Sequence, residues 1–337
     1  MSDDFERWIR GAPKCELHLH IDGSLQPRRL LALAEKNGVA LPYRSEADVE
    51  AACAFTDLQS FLDLYYHGAS VLRTEEDFYH LMGDYLAVCR SERIVHAEIM
   101  VEPQTYAPQG VTLDTVMAGF SAAIEDAGRG WGQSVALILS FLRHLPEAEA
   151  LAQLEAAEPW REHFAAIGLA SAERDHPPAD FARLYAAAQE RGYRLTAHAG
   201  EEGPAAVVGD ALDVLGVERI DHGVRAVEDP ALVERLAREG IPLTVCPLSN
   251  VRLCVFDRLA DHTLPQLLDA GVAVTVNSDD PAYFGGYLTE NFLALHRELG
   301  LDIPTARRLL DNAIDASFLS SAARARLRED LAAYGGG

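Results

Sequence analysis

Eight short runs of β-type composition, alternating with stretches of helical period, constrain the fold of this 337-residue chain more than any other feature. The first is "CELHLHID" (15 to 22). The other seven follow from residue 90 onward: "HAEIMVEP" (96 to 103), "SVALILSF" (134 to 141), "FAAIGLAS" (164 to 171), "RLTAHAG" (194 to 200), "ERIDHG" (218 to 223), "PLTVCPLS" (242 to 249) and "AVTVNSDD" (273 to 280). The helices between them have legible ends. "EDPALVERLAREG" offers Asp229 as N-cap, Pro230 at the first helical position, Leu232, Val233 and Leu236 on one face, and Gly240 as terminator. "ADFARLYAAAQERG" repeats the logic, with Phe181, Leu184, Tyr185 and Ala188 inward and Gly192 at the end. Strands alternating with helices in this number predict an α/β fold, a (β/α)8 TIM barrel. A doubly wound open sheet is the alternative, but no glycine-rich phosphate loop follows the first run.

The stretch from Ser24 to Arg93 is too long for one crossover, and "LQSFLDLYYHGASVL" and "TEEDFYHLMGDYLAVC" within it have helical period. It predicts a helical insertion (24–93) above the first strand, placed as a lid, in which Phe61, Leu62 and Tyr65 either cover a ligand or pack as core. After Gly286, "ENFLALHRELG", "TARRLLDNAID" and "SSAARARLREDLAAY" predict extra helices at the C-terminal end that pack on the barrel. The final "YGGG" reads as a frayed end. With no linker, repeat or low-complexity segment, residues 1–337 are expected as one domain.

A hydrophobic content of 49% can build a sizeable core without staples. Cys15, Cys53, Cys89, Cys246 and Cys254 form neither a disulfide framework nor a zinc knuckle. The opening "MSDDFERWIRGAPK" lacks an apolar signal core, and no segment has membrane-spanning character, so a cytoplasmic location with no membrane partner is expected. A net charge of −23 argues against nucleic acid, because contacting phosphates takes clustered Lys and Arg. A symmetric homo-oligomer is expected on general grounds, with no interface that the sequence locates.

Within "CELHLHID", strand geometry puts Glu16, His18, His20 and Asp22 on one face and Cys15, Leu17, Leu19 and Ile21 on the other. A lone histidine would be a core residue satisfied by hydrogen bonds; two on one face, flanked by acids, favour a metal. Further polar groups cluster at the ends of later runs: His198 then Glu201, His222, and Asp279 with Asp280. Barrel active sites lie at the strands' C-terminal ends, which gives this clustering functional weight. Each residue has a duller alternative: a buried His222 on a carbonyl, a solvated Glu201–Glu202 pair, Asp279 capping the next turn. Their coincidence at the same end of four strands outweighs those readings. Three imidazoles and a carboxylate suit one zinc ion, with iron or manganese as alternatives, and such an ion makes hydroxide available near neutrality.

"PKCELHLHIDGSL", "HAGEEG", "IDHGVR", "CPLSN" and "NSDDPAYFGG" resemble the ordered motif set of the adenosine and adenine deaminases of the amidohydrolase superfamily, across essentially the whole chain. The resemblance implies zinc held by His18, His20, His198 and Asp279. It implies that Glu201 protonates purine N1, that His222 orients the attacking water and helps take its proton, and that Asp280 holds N7. The cytidine-deaminase zinc pattern, H-x-E with P-C-x-x-C, is absent.

For the substrate, "GLASAERDHPPADF" is similar to the adenine deaminase branch, with Glu173 about where adenosine deaminases carry a glycine that donates to N3. A carboxylate there is expected to accept the N9 proton of a free base. Ala170 and Asp22 depart from the adenine-branch pattern; Asp22 resembles the aspartate that contacts ribose in the adenosine enzymes. The expected reaction is adenine to hypoxanthine and ammonia in purine salvage. The alternatives are adenosine or an N6-substituted adenine as substrate, with AMP disfavoured for want of a phosphate receptor. A catalytically idle metal-binding barrel is the alternative of another class, and Glu201 speaks against it, since a structural site needs no proton donor.

Overall fold

In the computed structural model, which describes residues 2–334, eight parallel strands run in sequential order around a (β/α)8 barrel. They are β1 (Lys14–His20), β2 (Ile94–Val101), β3 (Ser134–Leu142), β4 (Phe164–Ala170), β5 (Arg194–Ala199), β6 (Arg219–His222), β7 (Leu243–Val245) and β8 (Val274–Val276). Every residue of β1 is buried, as expected of a strand with side chains inside the barrel on one face and helices against the other. The ring closes where Leu19 bridges Asp279: the Asp279 N–H donates to the His18 carbonyl and the His20 N–H to the Asp279 carbonyl, each at 3.0 Å. Asn277 extends this closure with its side chain, accepting from the Leu17 N–H at 3.0 Å.

Two runs are shorter than their composition suggests. Of 242 to 249 only Leu243–Val245 is strand, because Pro247, which cannot donate to a ladder, starts the helix Pro247–Arg252. Of 273 to 280 only Val274–Val276 is strand; the polar residues beyond it turn toward β1. The "ID" after His20 likewise belongs to a single 3-10 turn, Ile21–Ser24. The predicted helix Pro230–Glu239 is present, with Asp229 accepting from the Ala231 and Leu232 N–H groups and Gly240 in the left-handed region.

Between β1 and β2 lie the helices Pro27–Asn37, Glu46–Ala52, Leu58–Ala69 and Glu75–Glu92. The last three start in capping boxes at Ser45, Asp57 and Thr74. The Leu58–Ala69 helix packs Phe61, Leu62 and Tyr65 with Leu253, Tyr283 and Phe284, which places it over the loops after β7 and β8. The helices Leu288–Leu299, Ile303–Ala316 and Ser321–Tyr334 follow. Tyr334 is anchored, its hydroxyl donating to the Trp8 carbonyl at 3.0 Å, and the three glycines of "YGGG" lie outside the described residues. No helix among the described residues is long and apolar enough to cross a membrane.

Deep in the barrel, toward the strands' N-terminal ends, Arg219 donates to Glu98 at 2.6 Å and to the carbonyls of Ala316 and Leu17, both at 3.3 Å. Glu98 also accepts from the Phe318 N–H at 2.5 Å, and the Arg219 guanidinium lies 4.2 Å from the centre of the Phe318 ring. This cluster ties the C-terminal helices to the barrel interior.

Candidate active site

The opposite end of the barrel gathers the predicted donors. His222 and Asp279 both leave their strands with a left-handed backbone, each at φ 64°, a strained conformation that turns the side chain inward over the barrel mouth. The Nε2 atoms of His18 and His20 approach His198 Nε2 to 3.1 and 3.2 Å, and Asp279 Oδ1 lies 3.3 and 3.4 Å from the same two histidine nitrogens. Ligands about 2.0–2.1 Å from one tetrahedral ion sit at about this mutual spacing. Outer partners turn the lone pairs inward. His18 Nδ1 lies 3.0 Å from Thr244 Oγ1 and 3.2 Å from the Thr244 carbonyl, and His20 Nδ1 lies 2.8 Å from Glu102 Oε1. Converging nitrogens with no proton arrangement that pairs them all fit a divalent cation. A second grouping, His18, His222, Cys246 and Asp279, shares two of these donors.

Beside the donors, Glu201 Oε1 lies 3.6 Å from His222 Nε2, which lies 3.7 Å from Asp279 Oδ2. Burial, then the carboxylates of Asp279 and Glu173, raises the Glu201 carboxyl well above the usual range, so it keeps its proton. Burial, against the pull of Asp279, pushes the His222 imidazole down to about 3, so it stays neutral. Two titratable groups driven apart in this way are the pattern of an acid beside a neutral hydrogen-bonding partner. Asp280 is also raised by burial and by Asp279, and its buried Oδ1 has no partner. Gly23 makes room for it: a Cβ there would lie 2.0 Å from Asp280 Oδ1.

These groups face one cavity at the barrel mouth. His20, His198, Glu201, His222, Asp279 and Asp280 form its reactive floor. Phe61, Leu62 and Tyr65 of the Leu58–Ala69 helix form much of the apolar roof, and Leu142, Ala170 and Ser171 a side wall.

Residues 13–334 match the family model described as adenosine deaminase. The chain is 50% identical over 327 residues to an adenine deaminase of Hahella chejuensis, covering 97% of this chain and 98% of the relative. It is 54% identical over 323 residues to an adenine deaminase of Cupriavidus necator, covering 96% and 92%. Among solved structures, an adenine deaminase from Arthrobacter aurescens matches with a TM-score of 0.95 at 48% identity, over 97% of this chain and 100% of that one. A zinc-bound amidohydrolase from Burkhoderia ambifaria matches with a TM-score of 0.90 at 28% identity, over 97% and 92%. The chain belongs to the adenosine deaminase family. It is a hydrolytic deaminase on a TIM barrel.

Two of the expected substrate contacts are placed differently in this deaminase. Glu173 does not line the cavity; its carboxylate is spent on the backbone of the neighbouring loop. Oε1 accepts from the Gly200 N–H at 2.6 Å, and Oε2 from the N–H groups of Glu201, Glu202 and Gly203 at 3.1, 2.8 and 2.7 Å. Gly203 permits this approach, since a Cβ there would lie 2.6 Å from Glu173 Oε1. Arg143 holds the same stretch from its other side, donating to the His198 carbonyl at 2.8 Å and to the His176 carbonyl. The expected reader of N9–H is thus a brace for the loop that carries Glu201. Asp22 is likewise off the cavity. It accepts from the Tyr106 hydroxyl and, at 3.5 Å, from the Tyr65 hydroxyl, and burial raises its carboxyl to about 7.

Sequence reasoning missed Glu102, Thr244, Asp221 and Asn250. Asp221 accepts from the hydroxyls of Thr244 and Thr196, both at 2.8 Å, beneath two of the histidines. Its alternate position from His222 in "IDHG" was the available signal, since a carboxylate inside a buried strand needs a buried partner.

Proposed function

We propose that this deaminase hydrolyses adenine to hypoxanthine and ammonia with one zinc ion per chain, in purine salvage in the cytoplasm. The observation that carries the substrate is identity of about half, over nearly the full length, to proteins described as adenine deaminases. His18, His20, His198 and Asp279 would hold the zinc, and their donor set and outer partners support it. When bound, the ion supplies Lewis-acid activation of water near neutrality.

The side chains do the rest. Glu201 gives its proton to purine N1, which makes C6 electrophilic and draws electron density out of the ring. His222 holds the attacking oxygen through Nε2, and the C6–O bond forms as the ring loses aromaticity. Asp280, kept protonated, donates its O–H to N7 and fixes the plane of the purine. Collapse of the adduct breaks the C6–N bond: the C6 hydroxyl proton returns to the Glu201 carboxylate, and the amine leaves as ammonia with the proton that the attacking water had given to Asp279 Oδ2. Phe61, Leu62 and Tyr65 cover the ring and exclude bulk water.

Adenosine is the weaker reading because Asp22, the group that resembled a ribose contact, is committed to two tyrosines. The Leu142–Ala170–Ser171 wall, with a methyl at 170, favours an N6-substituted adenine as the second reading. Product analysis tests these readings. Adenine should yield hypoxanthine and ammonia in equal amounts, an N6-methyl substrate would release methylamine, and inosine from adenosine as the main product would overturn the proposal. Metal analysis of active protein should find one zinc per chain. A homo-oligomer without nucleic-acid or membrane partners completes the proposal.

A further inference from the structure

Behind His222 a row of buried polar groups leads away from the cavity. His222 Nδ1 lies 3.2 Å from Asn250 Nδ2, Asn250 Oδ1 lies 3.2 Å from His262 Nε2, and the Leu264 backbone N–H donates to His262 Nδ1 at 2.9 Å. His222, Asn250 and His262 are 1%, 0% and 5% exposed, so the row satisfies itself without bulk water.

Its direction is set at the far end. A backbone N–H can only donate, so His262 Nδ1 offers a lone pair and the ring carries its proton on Nε2. The same bond excludes a doubly protonated His262. Nε2–H must then face the Asn250 carbonyl oxygen, because a flipped amide would set two donors against each other. That leaves the Asn250 NH2 group to donate to His222 Nδ1. With Nδ1 accepting, the neutral His222 ring holds its proton on Nε2, the nitrogen that looks toward Glu201 and Asp279.

We propose that His222 acts on the attacking oxygen as a hydrogen-bond donor, not as a base, and that Asn250 and His262 are positioning residues that lock its tautomer through the Leu264 amide. This replaces the expectation that His222 helps take the water's proton. His222 gives an N–H hydrogen bond and keeps its proton; the proton that the attacking water loses passes to Asp279 Oδ2, 3.7 Å from Nε2, as the oxygen turns one lone pair toward Nε2–H and another toward C6. Neither Asn250 nor His262 lines the cavity.

The test reads the tautomer directly. In zinc-loaded enzyme labelled with 15N-histidine, two-bond nitrogen–proton correlations should show a protonated-type Nε2 and a pyridine-type Nδ1 for His222, assigned by loss of these signals in His222→Gln. Asn250→Asp replaces the donor by an acceptor of nearly the same shape. It should switch the ring to Nδ1–H and lower kcat at least tenfold at unchanged zinc content. Three outcomes overturn the proposal: a wild-type ring protonated on Nδ1, an Asn250→Asp ring still protonated on Nε2, or a switched ring with kcat kept or raised. The wild-type spectrum decides even where the variant fails to fold. The rate arm rests on the deaminase reading and is run on whichever 6-aminopurine the wild type turns over, so failure of the adenine assignment appears separately.

Discussion

The two ends of this barrel are both crowded with buried charge, and they treat it in opposite ways. Toward the N-terminal ends, Glu98 meets Arg219 at 2.6 Å and accepts from the Phe318 N–H at 2.5 Å. There charges are matched, and the matching holds strands and terminal helices together. At the C-terminal end, three imidazole nitrogens converge, Asp280 Oδ1 and Glu102 Oε2 lack partners, and Glu201 is held beside other carboxylates. Burying polar groups without partners costs free energy, so the unmatched end has been kept for what it binds. The comparison separates scaffold from chemistry: removing a group from one end should cost stability, and from the other, rate.

Glu201→Gln is the sharpest way to break that distinction. It should lower kcat by about 10²–10⁴-fold, the usual worth of a positioned proton donor, while metal content and melting temperature hold. Full turnover in this variant, measured by the fall in purine absorbance, would remove the acid. Arg219→Met tests the other end. Breaking a buried ion pair from one side should cost about 3–5 kcal/mol of stability by denaturant titration, whereas the kcat of the folded fraction stays near wild type. Glu173→Gln, which cannot accept on both sides of the carboxyl, should lower kcat by up to about 100-fold through misplacement of Glu201. KM for adenine should stay within a small factor; a large KM increase at unchanged kcat would restore Glu173 as a substrate contact.

The pH profile sharpens the comparison further. Because burial and the neighbouring carboxylates raise the Glu201 carboxyl, kcat/KM should fall only as pH rises through that elevated value. Glu201→Gln should lose this alkaline limb. His222, pushed down to about 3, should contribute no acidic limb near neutrality. The smallest effect belongs to Asp22→Asn, which should cost about 1 kcal/mol through weakened bonds to Tyr106 and Tyr65 and leave adenine turnover nearly unchanged.

The barrel was legible because strand and helix periods differ, and the Asp229 cap and Gly240 stop are local signals that tertiary contacts did not override. The runs at 242–249 and 273–280 were read too long because their polar tails keep β-type composition while Pro247 and the closure onto β1 redirect the chain. Convergence of His18, His20, His198 and Asp279 was readable from the fold, since strand ends meet at one mouth. Glu173 was misread for a physical reason: its partners are four main-chain amides 27 to 30 residues away, and backbone donors leave no mark in a sequence. The same holds for the row behind His222, whose direction is set by a single backbone N–H at Leu264.

Steady-state deamination of adenine and adenosine in parallel by zinc-loaded protein, with kcat/KM compared for each, tests the substrate assignment directly. A large preference for adenine is expected, with hypoxanthine as product. A preference for adenosine, or no ammonia from adenine, would contradict it.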